Sequence, residues 1–108
     1  MSQITTHVLD SALGLPAAGI SVALGGPDGT IIAIGETDAD GRVMSFGPEK
    51  LPAGDYQIEF ATGAYFAASG RATFYPRIVV YFVVSDASAH YHVPLLLSPF
   101  AYSTYRGS

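Results

Sequence analysis

Histidines stand two apart at His90 and His92, close to the end of this 108-residue chain. In an extended strand that spacing puts both imidazoles on one face, roughly 7 Å apart, with Tyr91 and Val93 on the other. His7 is the third and last histidine. A lone histidine is more often structural than catalytic, but two on one strand face, in a chain poor in ionisable groups, are costly unless the site is wet or paired. Three chemistries fit. His7, His90 and His92 match the donor set of a His₃ zinc site. As free imidazoles they suit acid and base work on water and a substrate. As hydrogen-bonding groups they would serve a subunit interface.

Arg42 follows Asp40-Gly41 in an Asp/Gly-rich turn that aims it. Either it pairs with Asp38 or Asp40 as a surface charge, or its guanidinium is a fork for a planar, anionic or carbonyl-rich ligand. Arg106 is expected to anchor the terminal carboxylate or an acidic loop. Tyr105 and Ser108 offer hydroxyls beside it. No G-x-S-x-G elbow, P-loop, dinucleotide fingerprint or H-E-x-x-H pattern is present, and the carboxylates are too scattered for a paired-carboxylate glycosidase site.

The elements that must carry these groups read as short strands. Ile4–Asp10 alternates, and Ser11–Gly19 is a loop broken by Gly14 and Pro16. Ile20–Leu24 and Thr30–Gly35 form a hairpin around Gly25-Gly26-Pro27-Asp28-Gly29. The turn 37–42 delivers Arg42 to a strand over Val43–Phe46. Tyr56, Ile58 and Phe60 alternate with Gln57 and Glu59, as in a sheet with one covered face. Ala61–Ser69 is the helix candidate, ended by Gly70. Tyr75–Val84 is apolar on both faces, which predicts burial on both sides or contact with another subunit. A last hairpin pairs the run through Leu95–Leu97 with Ala101–Arg106 across Ser98-Pro99. Pro94 is awkward in such a strand, and is expected at a bulge or where its missing N–H would point away from a partner. Seven or eight short strands with one short helix predict an all-β sandwich over residues 1–108, taken as one domain.

Composition narrows the partners. Apolar residues are 49 % of the chain and charged residues 13 %, about half the usual charged share of about 25 %; part of the surface is therefore expected to be an interface. The net charge is −4 with five basic residues and no basic cluster, which argues against nucleic acid and anionic membranes as partners. Without cysteine there is no disulfide framework and no thiolate. The first ten residues carry no basic region followed by an apolar stretch, no run is long enough to span a membrane, and a soluble cytoplasmic protein is expected.

The run HYHVPLLLSPFAYSTYRGS at 90–108, with THVLD at 6–10 and TDADGR at 37–42, closely resembles the transthyretin-related proteins that are 5-hydroxyisourate hydrolases. The resemblance covers essentially the whole chain, and Tyr105–Ser108 is its most specific element. Transthyretins that carry thyroid hormone share the fold and much of the SP-x-x-YST segment, but lack that ending and the histidines. The resemblance implies a transthyretin-like sandwich of two four-stranded sheets, paired edge to edge into dimers that pack face to face as a homotetramer around a channel. It implies hydrolysis of the N1–C6 bond of 5-hydroxyisourate, giving 2-oxo-4-hydroxy-4-carboxy-5-ureidoimidazoline, with neither metal nor cofactor. His7, Arg42, His92 and Ser108 are the catalytic residues it implies, with Arg42, His7, Tyr105 and His90 binding the substrate. The alternative is a transthyretin-like carrier for a small aromatic ligand in the channel.

Overall fold

The computed structural model describes residues 2–108. Its elements are β1 (Ile4–Asp10), β2 (Leu15–Pro16), β3 (Ser21–Gly25), β4 (Ile31–Glu36), β5 (Arg42–Val43), β6 (Gly54–Phe60), α1 (Thr62–Ala68), β7 (Ile78–Val84), β8 (Tyr91–Ser98) and β9 (Ala101–Thr104). They form two sheets. One runs β2-β1-β8-β9, with β5 also paired to β1, and the other runs β4-β3-β6-β7. The all-β sandwich with one short helix is thus what the chain adopts. No helix among the described residues is long and apolar enough to cross a membrane.

Period-two alternation builds the core. Ile4 and Val8 of β1 and Val93, Leu95 and Leu97 of β8 face Val22, Leu24, Ile58, Phe60 and Ile78 of the other sheet, all buried. Burial of each such side chain contributes about 1.5–3 kcal/mol. The complementary parity leaves Thr5, His7 and Leu9 of β1, with His92, Pro94 and Leu96 of β8, on the outer face of the first sheet.

The pairing that matters most for chemistry is parallel. β1 lies beside β8 with Thr5 opposite His92 and His7 opposite Pro94. On its other edge β1 takes β5 antiparallel, with His7 opposite Arg42. Residues from the start, middle and end of the chain thereby become lateral neighbours.

Four element boundaries differ from the sequence expectation, each for a local reason. The strand expected over Val43–Phe46 shrinks to Arg42–Val43 because Phe46 turns inward to full burial, its N–H donating to Ser2 Oγ at 2.7 Å. The loop Ser11–Gly19 contains the two-residue strand β2, paired with Leu9 and Asp10. The strand expected from Tyr75 begins only at Ile78, since Pro76 has no N–H to give a ladder and its carbonyl accepts Gly63 N–H of α1 at 2.9 Å. The last strand stops at Thr104 instead of Arg106, and Pro94 explains why. Gly107 N–H donates to His92 O at 2.8 Å in the same register that pairs Leu95 with Thr104. There is no bulge between them. Pro94 sits at the intervening position, where its missing N–H would have met Tyr105, so the ladder opens there and closes again at Gly107.

α1 is fastened by polar contacts. Asp10, fully buried at the end of β1, accepts Tyr65 Oη–H at 2.8 Å, an Arg71 Nη2–H at 2.7 Å and Leu13 N–H at 3.0 Å. The Arg71 guanidinium lies over the Phe66 ring at 4.9 Å. Burial alone would push the Asp10 carboxyl up. The hydrogen bonds from Arg71, Tyr65 and Leu13 together with the Arg71 charge outweigh it, so the carboxyl is held below its ordinary value.

Candidate active site

Arg42 is delivered by a turn that consumes its own carboxylate. Asp38 Oδ1 accepts the N–H groups of Asp40 at 2.9 Å and Arg42 at 3.0 Å, while Asp38 N–H and Arg42 O close the loop at 3.0 Å. Gly41 completes it with φ +75°, pressed against β1 so closely that a Cβ there would collide with Val8 O. Asp38 therefore shapes the backbone and leaves the guanidinium alone. Among the described residues Arg42 makes neither an ion pair nor a side-chain hydrogen bond, and the surface pairing with Asp38 or Asp40 does not form.

His7 stands beside it on β1. Its Nε2 lies 2.9 Å from Asp40 O. A backbone carbonyl only accepts, so Nε2–H donates and the neutral ring keeps its lone pair on Nδ1. His92 is one strand across and one two-residue step along, a diagonal neighbour of His7 at roughly 8 Å between Cα atoms. Partial burial holds the His92 pKa below its ordinary 6.5, and the positive charge of Arg42 and the neighbouring His7 and His90 lower it further. The ring is neutral at pH 7. The strand register sets Arg42, His7 and His92 on a single face.

Two residues absent from the sequence expectation hold the histidines in place. Thr5 Oγ1 lies 2.8 Å from His92 Nδ1 and 3.2 Å from His90 Nε2, which is why Thr5 is fully buried on an outer face. Gln3 clamps the loop before His90. Its Nε2 donates to Ala87 O at 3.0 Å and Ala89 O at 2.9 Å, and its Oε1 accepts Leu51 N–H at 2.6 Å. Nothing in local spacing marks Thr5 or Gln3, because both act across more than 80 residues of sequence. Gly107 is a third. A Cβ there would stand 2.6 Å from His92 Cδ2, so only glycine lets the terminal segment lie on the His92 ring.

The three histidines do not gather as a metal set; among the described residues no three His, Asp or Glu side chains do. Tyr105 joins His92, Arg106 and Tyr81 around a cavity of about 320 Å³ beside β7, which neither His7 nor Arg42 lines. Ser108 is exposed and makes no hydrogen bond among the described residues, one position beyond the Gly107–His92 bridge. Arg106 departs from its expected role. Its guanidinium lies 4.4 Å over the Tyr91 ring and makes no ion pair with the terminal carboxylate or Asp86 among the described residues. Tyr91 Oη in turn accepts Ser85 N–H at 3.1 Å and Asp86 N–H at 2.9 Å, tying the loop before β8 to its start.

Comparison with known proteins bears on the family and the fold. A protein of Caulobacter vibrioides named 5-hydroxyisourate hydrolase is 48 % identical over 115 residues, covering 100 % of both chains. The solved Klebsiella pneumoniae 5-hydroxyisourate hydrolase superposes with a TM-score of 0.90 at 42 % identity, over 97 % of this chain and 98 % of that one. Sea bream transthyretin, solved in complex with thyroxine, gives the same TM-score of 0.90 at 35 % identity, over 97 % of this chain and 94 % of that one. The family model described as HIUase/Transthyretin matches residues 4–107. A chain that pairs this sandwich with full-length likeness of that order belongs to the HIUase/Transthyretin family.

Proposed function

We propose that this chain is a hydrolase that opens the six-membered ring of 5-hydroxyisourate at the N1–C6 bond, giving 2-oxo-4-hydroxy-4-carboxy-5-ureidoimidazoline. The observation that carries it is the unpaired Arg42 beside His7 and diagonal to a neutral His92 on one open face. Ring opening requires a water to lose a proton as it adds to a carbonyl carbon. A neutral imidazole accepts that proton at pH 7, and His92 is the base. The carbonyl oxygen gains negative charge as the bond forms, and Arg42, with no carboxylate to satisfy, meets it. His7, its Nε2–H spent on Asp40 O, presents Nδ1 to orient the water. Ser108, one position beyond the Gly107–His92 bridge, bounds the ring from the C-terminal side, with Tyr105 lining the adjoining cavity beside β7 and His90 behind His92.

Within one subunit the face is an open sheet surface, and the proposal extends to assembly over residues 1–108 as one domain. β7 and β9 are edge strands, and Tyr81 and Val83 of β7 are exposed at 68 % and 60 %. Two copies pair through these edges, as exposed edges demand cover. The dimers then pack face to face, closing His7, Arg42 and His92 into a cleft as a homotetramer. We place the enzyme in the cytoplasm, where a chain without cysteine loses nothing to reduction.

The likeness to transthyretin with thyroxine favours a second reading, a carrier of a small aromatic ligand. Ultraviolet absorbance of freshly generated 5-hydroxyisourate separates the two. The hydrolase accelerates its decay catalytically at substoichiometric protein. A carrier leaves the spontaneous rate unchanged, and that result would overturn the proposal.

A further inference from the structure

The Thr5 hydroxyl sits between two imidazoles, 2.8 Å from His92 Nδ1 and 3.2 Å from His90 Nε2. A hydroxyl has one proton to give and two lone pairs. It cannot donate to both rings, so at least one imidazole donates to it, and whenever Thr5 gives its proton to one ring the other ring is the donor. With the chain running His92 Nδ1–H to Thr5 Oγ1–H to His90 Nε2, His92 keeps a lone pair on Nε2. With the direction reversed, His92 Nε2 bears a proton and accepts nothing.

The strand register adds a direction. Arg42, His7 and Pro94 share one row across the sheet, and Thr5 and His92 share the next. His90 lies a row further on, so a cation on His90 is further from Arg42 than a cation on His92. Groups facing His92 are His7 from β1, Arg42 from β5, His90 from its own chain segment, and Tyr105 and Arg106 from beyond β9.

We propose that Thr5 is a positioning residue that ties His92 to His90, keeping the His92 proton on Nδ1 so that Nε2 is basic and giving that proton a path to His90. This rests on His92 being the base. As a water O–H bond breaks, its proton goes to His92 Nε2 and its electron pair forms the bond to the carbonyl carbon. The Nδ1 proton passes to Thr5 Oγ1 while the Thr5 proton passes to His90 Nε2. His92 is left neutral with its proton on Nε2, His90 carries the positive charge, and the charge has moved away from Arg42. When the ring nitrogen departs it takes the Nε2 proton, and the chain runs back to its starting arrangement. One imidazole thus serves as base and then as acid.

Thr5→Val keeps the shape and removes the hydroxyl; Thr5→Ser keeps the hydroxyl. Thr5→Val is expected to lower kcat on the order of 100-fold with little change in KM, and Thr5→Ser to recover to within a few-fold of the parent. Nitrogen-15 imidazole spectra of the unaltered protein, taken above the His92 titration, are expected to show His92 protonated on Nδ1, and Thr5→Val to show a tautomer mixture. A His92 proton resident on Nε2, or Thr5→Val turning over at the parent rate, would overturn the relay. If Thr5→Val does not fold, Thr5→Ser and the spectra of the unaltered protein still decide. A fully active His92→Ala would instead remove the base itself, so the two failures are distinguishable.

Discussion

Each of the three central side chains owes its readiness to a neighbour that is otherwise engaged. Asp38 spends its carboxylate on backbone amides, so Arg42 is unpaired. Asp40 O fixes the His7 tautomer. Burial and the Arg42 charge keep His92 neutral. Removing Arg42 acts twice. Arg42→Ala is expected to lower kcat by about 10²–10³-fold, the scale of a lost oxyanion donor. It also lifts a positive charge off His92. His92 titrates below 6.5 in the parent, so its acid limb in kcat/KM lies below that pH, and the variant's limb should move to higher pH. A limb that stays in place would detach Arg42 from His92. His7→Ala is expected to cost on the order of 100-fold in kcat, checked by single-turnover kinetics on folded protein. At Gly107 a methyl would stand 2.6 Å from the His92 ring. Gly107→Ala is expected to lower kcat on the order of 10- to 100-fold while leaving the thermal midpoint nearly unchanged, because the segment is exposed.

At the scale of elements, β1 is the spine, with the histidine-bearing β8 on one edge, the arginine-bearing β5 on the other, and Asp10 at its end clamping α1. Asp10 is held below its ordinary pKa of 3.8 when folded. Its contribution is thus fully present above the unfolded value and is lost as pH falls through the lower folded value. Denaturant melts should show Asp10→Asn less stable than the parent at pH 7, with the gap closing as pH falls below about 3.8. A gap that widened in acid would contradict the ion network. Much of this was legible beforehand. The alternation of Ile4–Asp10 and Tyr56–Phe60, the Asp/Gly turn and the H-x-H pair all encode their elements locally. The parallel union of β1 with β8 was not, because register between segments more than 80 residues apart is fixed by core packing, and no local pattern records it. Thr5 and Gln3 were invisible for that reason. Pro94 was a visible oddity whose meaning, an opening in the ladder before Tyr105, needed the partner strand.

For the whole molecule, low charge and exposed apolar side chains belong together. Phe100 is 67 % exposed, Tyr102 41 % and Leu15 57 %, all on or next to the sheet that carries the histidines. In the proposed tetramer Phe100 lies between dimers, whereas Tyr102, opposite the core residue Leu97 and edge-on to Tyr75, faces the other sheet. Phe100→Glu should therefore yield dimers in light scattering, with the sandwich intact by circular dichroism and turnover reduced because the cleft stays open. A tetramer of unchanged stability would place that ring outside the contact. The central claim, that an imidazole on this face removes the proton from the attacking water, is tested most directly by the initial rate of 5-hydroxyisourate decay with His92→Ala. The expected result is a folded protein whose rate falls to within a few per cent of the parent's acceleration over the spontaneous reaction; a His92→Ala protein as fast as the parent would contradict it.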